Sequence, residues 1–193
     1  MTELRDEPAE VEIVASDLVY EGRVWDVRSD TFRYGDAQIV RQYVDHPGAV
    51  AIVALDDENR VALIQQYRHP IRHRDWEIPA GLLDVPGEPP VETARRELAE
   101  EVDLVAEHVE PLLSIFTTPG GNDEVVHIFL ARGLSAAPDA HAREQEEADI
   151  RVEWVPLADA VDAVLAGRMR NGILAAGVLA AAEQQRRSSH SGS

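Results

Sequence analysis

The residues best suited to chemistry lie in one short acidic run, RRELAEE, at positions 95–101. Glu97, Glu100 and Glu101 stand three and four residues apart, so on a helix their carboxylates share one face. Like charges at that spacing destabilise a helix by roughly 0.2–0.5 kcal/mol per pair. A divalent cation would relieve the repulsion, and Mg²⁺ prefers carboxylates together with water and phosphate oxygens. The alternative is an ordinary solvated helix face, which the run alone does not exclude.

A helix over residues 89–102 is predicted to carry these carboxylates. Its sequence, PPVETARRELAEEV, opens with prolines, which a first helical turn tolerates, and it has apolar residues at helical spacing. Those apolar residues are Val91, Ala94, Leu98 and Val102. The acidic run therefore falls in the second half of this helix.

The flanking segments are typical of strands. Residues up to Val44 alternate in places between apolar and polar types and predict a small antiparallel sheet. Core strands are predicted in AVAIVALDDENRVALIQQYR, WEIPAGLLD, PLLSIFTT, EVVHIFLARGL and IRVEWVPL, and two helices are predicted after Leu157. The domains expected are an N-terminal β subdomain at 1–45, a main domain at 46–186 and a disordered tail at 187–193.

The composition limits the classes of partner and compartment. The 193 residues carry 36 acidic and 18 basic side chains, a formal net charge of −18. Because that charge would repel nucleic acid and anionic membranes, we expect a small substrate and neither of those partners. Cysteine is absent, which excludes disulfides and thiolate metal sites. The acidic start has no signal-peptide pattern, and no apolar run reaches the roughly 18 residues of a membrane span, so a cytoplasmic protein is expected.

Residues 81–104, GLLDVPGEPPVETARRELAEEVDL, resemble the Nudix box, G-x5-E-x7-R-E-U-x-E-E-x-G-U, in which U is a bulky aliphatic residue. The positions that match in register are Glu88, Arg96, Glu97, Leu98, Glu100, Glu101 and Leu104. The sequence departs from the pattern by one extra residue between Gly81 and Glu88 and by Asp103 in place of the second glycine. The extra residue falls in a loop, where it costs little, and Asp103 is predicted to end the helix in a left-handed conformation.

The resemblance implies the Nudix fold, an α/β (α+β) arrangement in which a mixed β-sheet lies between helices, beside an N-terminal antiparallel β-sheet subdomain. It also implies a hydrolase that splits a diphosphate joined to a nucleoside with the help of Mg²⁺, with Mn²⁺ as an alternative. The implied metal ligands are Glu97 and Glu101 first, Glu100 and Glu88 as secondary or water-mediated ligands, and the backbone carbonyl of Ala80. Arg96 is implied to orient the glutamates.

Flanking residues resemble the ADP-ribose pyrophosphatases of this family, which are homodimers that cleave ADP-ribose to AMP and ribose 5-phosphate. Pro119 lies 15 residues after Leu104, as in those enzymes, although an ordinary loop between strands is the alternative. Arg68 resembles a substrate-binding arginine whose guanidinium can grip a diphosphate with two hydrogen bonds, and a surface salt bridge is its alternative. The candidates for the adenine pocket are Trp25, Phe32 and Arg41, with plain packing as the alternative. The small N-terminal sheet is implied to form the dimer.

Hydrolysis also needs a base that activates water, and in related enzymes this base is a glutamate on a mobile loop before the last core strand. Glu147 in EQEEAD is the candidate, followed by Glu146 and Glu144, and a solvated acidic run is the alternative. Two other functions stay open at this point. One is a Nudix hydrolase of another nucleoside diphosphate derivative, such as a nucleotide sugar, FAD or a dinucleoside polyphosphate. The other is a non-catalytic Nudix module that senses ADP-ribose.

Overall fold

A computed structural model of the chain describes residues 3–138 and 149–191. The chain divides into two compact units. The N-terminal unit comprises Met1–His46 with Thr118–Glu124, and the main unit comprises Pro47–Thr117 with Val125–Ser193. The seven-residue insertion from the middle of the chain into the first unit is a feature that the sequence did not indicate.

The N-terminal unit is a three-stranded antiparallel sheet in the order β1-β2-β3. Its strands are β1 (Ile13–Tyr20), β2 (Asp26–Tyr34) and β3 (Ala37–Asp45). A tight turn joins β2 to β3, and Gly35 adopts φ 60° there, a value that glycine reaches without steric cost. Val44 donates its N–H to the carbonyl of Gly121 at 3.0 Å, which attaches residues 118–124 to this unit.

The main unit is built on two sheets. The strands of the first are β4 (Ala49–Ala54), β7 (Ala80–Leu82), β8 (Leu104–Phe116) and β9 (Val125–Ala136), in the order β7-β4-β9-β8. β4 and β9 run parallel and the other pairs antiparallel, so this sheet is mixed. The second sheet is antiparallel in the order β10-β5-β6 and consists of β5 (Arg60–Arg68), β6 (His73–Glu77) and β10 (Arg151–Pro156).

Helices cover both faces of the mixed sheet. Alternate residues of β4 point to opposite faces, and all six are buried. Val50 and Ile52 pack in a cluster with Ala94 and Leu98 of helix α1 (Pro90–Val102). Val53 on the other face belongs to a cluster that includes residues of α2 (Leu157–Leu165) and α3 (Gly172–Ser191). This is the predicted mixed sheet between helices.

The α1 helix begins and ends as its sequence predicts. Pro89 is its extended N-cap residue, and proline also occupies the first turn, where a missing N–H costs nothing. Asp103 caps the C-terminus with φ 56° and ψ 37°, in the left-handed region, and its N–H reaches the carbonyls of Ala99 and Leu98. The helix end is thus closed by a residue that tolerates this conformation less well than glycine.

The C-terminal helix corrects one prediction. α3 continues to Ser191, whereas residues 187–193 were predicted to be a disordered tail. Glu183 accepts hydrogen bonds from both Arg186 and Arg187, one turn further along, and such pairs stabilise the exposed end of a helix. Within residues 3–138 and 149–191, no helix combines the length and apolar character that crossing a bilayer requires.

Replacing Asp103 with glycine should stabilise the protein, because glycine adopts the left-handed conformation without a Cβ penalty. The expected gain is up to about 1 kcal/mol, or a rise in Tm of up to roughly 2–4 °C for a chain of this size. Thermal unfolding followed by circular dichroism measures the change. Asp103→Ala, which keeps a Cβ, should give no gain, and equal melting temperatures for the parent and Asp103→Gly would contradict the assignment of strain to this cap.

Candidate active site

Two carboxylates of α1 lie against the backbone of β7. A Cβ atom added to Gly81 would come within 2.0 Å of Cδ and 2.2 Å of Oε1 of Glu97, so the absence of a side chain makes room for this carboxylate. Glu101 is buried, with 7% of its surface exposed, and its Oε2 accepts the N–H of Ala80 at 2.8 Å. Glu97 and Glu101 therefore pack on the Ala80–Gly81 backbone, whereas the side chain of Glu100 is 40% exposed.

Arg96 lies at the centre of the acidic cluster. Its Nη1 donates to Glu97 at 2.6 Å and to Glu100 at 3.2 Å, and its Nη2 donates to Glu88 at 3.3 Å. The Nε of Arg96 is buried and has no hydrogen-bond partner among the described residues. Arg96 thus offsets the mutual repulsion of three carboxylates, an arrangement consistent with the orienting role implied by the resemblance.

Glu88 joins the cluster from the loop before the helix. Its Oε2 accepts the hydroxyl of Thr93, which is fully buried, at 2.8 Å. This hydrogen bond, followed by the hydrogen bond and charge of Arg96, outweighs burial and lowers the pKa of Glu88. The carboxylate is therefore held in its charged form near Arg96.

The donor set suits a hard divalent cation. Carboxylate oxygens of Glu88, Glu97, Glu100 and Glu101 gather on one side of α1, and oxygen is the donor that Mg²⁺ and Mn²⁺ prefer. In residues 3–138 and 149–191 no three acidic or histidine side chains converge on a point as they stand. Arg96 and the amide of Ala80 each bind through single carboxylate oxygens, namely Oε1 of Glu97, Oε2 of Glu100 and Oε2 of Glu101.

Arg68, the predicted diphosphate ligand, is paired with a residue that the sequence analysis missed. Its Nε and Nη2 donate to Oε1 and Oε2 of Glu77, each at 2.7 Å, and Glu77 is 5% exposed. The hydrogen bond to Glu77 is the main cause that raises the pKa of Arg68, with further contributions from the charges of Glu77, Glu101 and Asp75 and with burial opposing them. The signal in the sequence was a single carboxylate between Trp76 and Ile78 in an otherwise uncharged WEIPAG segment.

The other predicted substrate residues belong to the N-terminal unit. Trp25 is 46% exposed and stacks on His46, with ring centroids 5.5 Å apart and an interplanar angle of 26°. Arg41 is exposed and donates from Nη1 to the carbonyl of Val40 at 2.9 Å. Pro119 is exposed in the segment that joins this unit. Glu147, Glu146 and Glu144 lie outside the described residues.

A sequence profile of the NUDIX domain matches residues 45–175, which is most of the chain. The chain belongs to the NUDIX domain family. The family predicted from residues 81–104 is therefore confirmed.

The chain is similar to named bacterial proteins and to a solved structure. The chain is 46% identical over 172 residues to an ADP-ribose pyrophosphatase of Mycobacterium tuberculosis, covering 88% of this chain and 82% of that protein. It is 38% identical over 139 residues to a methanol dehydrogenase activator of Bacillus methanolicus, covering 72% of this chain and 75% of that one. A solved structure described as an ADP compounds hydrolase superimposes with a TM-score of 0.79 at 20% identity, covering 95% of this chain and 98% of that chain. The resemblance to ADP-ribose pyrophosphatases is confirmed by the first of these, and the Nudix fold by the last.

Gly81→Ala should weaken divalent-metal binding by about tenfold or more while leaving the fold intact. The new Cβ would overlap Glu97, whose flexible side chain can move aside, so the displaced carboxylate is lost as a ligand. Isothermal titration of Mg²⁺ into each protein measures the affinity. Gly172→Ala is the matched control, because a Cβ there meets nothing within 4 Å. Equal Mg²⁺ affinities for the parent and Gly81→Ala would show that Glu97 does not need its place beside β7.

Proposed function

We propose that this Nudix protein is a metal-dependent pyrophosphohydrolase that cleaves ADP-ribose to AMP and ribose 5-phosphate. The observation that carries the proposal is the acidic face of α1, where Glu97 and Glu101 lie against Gly81 and Ala80. The 46% identity to an ADP-ribose pyrophosphatase over most of both chains supports the choice of substrate.

The proposed metal is Mg²⁺, with Mn²⁺ as the alternative. Glu97 and Glu101 would hold it, with Glu88, Glu100 and the carbonyl of Ala80 as further ligands. A bound dication would neutralise the diphosphate and lower the pKa of water at the site. Before it binds, Arg96 neutralises part of the cluster, and its hydrogen bonds keep the carboxylates charged and close together.

Four residues are proposed to bind the substrate, and each is considered by itself. Arg68 would bind the diphosphate through the part of its guanidinium that Glu77 does not occupy, since 45% of the Arg68 side chain is exposed. Trp25 offers an exposed aromatic face to a base, and Arg41 and Pro119 are the other proposed contacts. Glu147 is the proposed base that accepts the proton of the attacking water, with Glu146 and Glu144 as the alternatives.

The acidic cluster should be required for turnover much more than for folding. Combining Glu97→Gln with Glu101→Gln should lower the rate of ADP-ribose hydrolysis by at least about 100-fold at saturating Mg²⁺, because a metal ligand carries several kcal/mol of charge stabilisation. The rate is measured as the amount of AMP released over time, quantified by chromatography. Glu92→Gln is the matched control, since Glu92 is an exposed carboxylate on the same helix.

The outcomes of this assay separate the alternatives. A double variant within about threefold of the parent, with an unchanged Tm, would exclude metal-assisted hydrolysis at this cluster. A parent that hydrolyses a nucleotide sugar, FAD or a dinucleoside polyphosphate faster than ADP-ribose would be a Nudix hydrolase of another specificity. A parent that binds ADP-ribose without hydrolysing it would be a sensor.

Glu147→Gln should lose turnover while keeping the Mg²⁺ affinity of the parent, and full activity in that variant would remove Glu147 as the base.

We further propose that the N-terminal sheet forms a homodimer. All eight residues of β1 are exposed, including Ile13, Val19 and Tyr20 at 50%, 59% and 65% exposure, and exposed apolar side chains on this scale favour association. Sedimentation equilibrium of the full chain should give twice the 21.3 kDa of one copy. Replacing Val19 and Tyr20 with serine should shift the mass towards one copy, and a parent that sediments as a monomer at micromolar concentration would contradict the dimer. Location in the cytoplasm stays a prediction.

A further inference from the structure

Glu77 is one of the few charged side chains buried in the described residues. It is 5% exposed at the last position of β6, and both of its carboxylate oxygens accept hydrogen bonds from Arg68. A buried carboxylate is costly unless it is paired and hydrogen-bonded, so the two groups are tied to each other. The partner, however, is half exposed, and it keeps an edge of its guanidinium for other acceptors.

The register of the strands shows that this pair is not a simple cross-strand contact. Ile64 is the residue opposite Glu77, and His73 is the residue opposite Arg68. The Arg68 side chain must therefore reach back along β5 to meet Glu77. Two hydrogen bonds to Glu77 hold the long and flexible side chain of Arg68 in one direction. Without Glu77, the guanidinium of Arg68 would be able to pair with another anion.

The carboxylate of Glu101, a proposed metal ligand, is an alternative anion for Arg68. Glu77 precedes Ala80 by three residues, and Ala80 donates its N–H to Glu101. The charge of Glu101 also contributes to the raised pKa of Arg68, which indicates that the guanidinium lies within electrostatic range of that carboxylate. A guanidinium that moved onto Glu101 would occupy the oxygens that a dication needs.

We propose that Glu77 is a positioning residue, which holds the guanidinium of Arg68 away from the carboxylate of Glu101 so that Glu101 binds the divalent cation while the free edge of Arg68 faces the diphosphate. The proposal rests on the metal-binding part of the proposed function. No described residue accepts a hydrogen bond from Nη1 of Arg68, so this edge is the one left for substrate.

The test is the affinity of the full-length protein for Mg²⁺ alone, measured by isothermal titration calorimetry. Glu77→Gln keeps the shape of the side chain but removes the charge that holds Arg68, and it should weaken Mg²⁺ binding about tenfold or more. Adding Arg68→Met to Glu77→Gln removes the competing cation and keeps an apolar stem, so affinity should return to within about twofold of the parent.

Asp75→Asn is the matched charge control. Asp75 lies on the same face of β6, two residues before Glu77, and its charge also raises the pKa of Arg68. Unlike Glu77, Asp75 accepts a hydrogen bond from Asn171. Its Mg²⁺ affinity should stay within about twofold of the parent. An equal loss of Mg²⁺ affinity in Asp75→Asn and Glu77→Gln would show that only net charge matters, and it would overturn the proposal. The proposal would also be overturned if Glu77→Gln bound Mg²⁺ as tightly as the parent. So would a double variant whose Mg²⁺ affinity does not recover.

A purely structural ion pair would change Tm and leave the Mg²⁺ affinity of the folded protein unaltered, which also overturns the proposal. If Glu77→Gln does not fold, Glu77→Asp keeps the charge on a shorter side chain that cannot reach both guanidinium nitrogens. The same direction of change in Mg²⁺ affinity is then expected, and no change contradicts it. This titration contains no nucleotide, so its Mg²⁺ affinities do not depend on the substrate. If ADP-ribose is not hydrolysed, the proposed reaction is contradicted but the proposal for Glu77 is still tested.

Discussion

The mutual repulsion of the carboxylates on α1 is the constraint on which the arrangement of the main unit depends. Glu100 and Glu101 each lie one turn after Glu97, with Glu88 beside them, and like charges so spaced would destabilise an isolated helix. The fold reduces that cost by local means: Arg96 donates to three of the carboxylates, the amide of Ala80 donates to Glu101, and Gly81 leaves space for Glu97. Arg96 and the amide of Ala80 therefore hold the carboxylates together beside β7.

The packing of α1 explains why these contacts are available. Its apolar face joins Val50 and Ile52 of β4 in a buried cluster, and β4 pairs with the short strand β7 that contains Ala80 and Gly81. Because β4 links the helix and β7, the carboxylates meet the backbone at fixed positions. Glu77 lies three residues before β7, and its partner Arg68 is the last residue of β5 in the other sheet. Arg68 is thus a second positively charged side chain, besides Arg96, whose charge interacts with a carboxylate of α1.

The elements closest to the chemistry were the ones that the sequence predicted best. The period of Val91, Ala94, Leu98 and Val102, the prolines at the start and Asp103 at the end all describe α1 as it is observed. These signals are local, since each depends on residues within a few positions of one another. The Nudix family followed from residues 81–104, where residue types and spacing are matched together.

What escaped prediction depends on contacts between distant residues. The pairing of Arg68 with Glu77 requires the register of β5 and β6 and a side chain that reaches back along its strand. The attachment of residues 118–124 to the N-terminal unit rests on hydrogen bonds to residues more than seventy positions away, such as that between Gly121 and Val44. The continuation of α3 to Ser191 was missed for a different reason, because a polar and serine-rich ending resembles a disordered tail unless the pairs made by Glu183 are recognised.

The central claim is that the acidic face of α1 holds a divalent cation against a diphosphate. Anomalous diffraction from crystals grown with Mn²⁺ and an ADP-ribose analogue whose bridging oxygen is replaced by methylene tests it most directly. The account predicts a Mn²⁺ peak at coordination distance from Glu97 and Glu101 and from an oxygen of the diphosphate. An analogue bound elsewhere, with no ion beside α1, would contradict it.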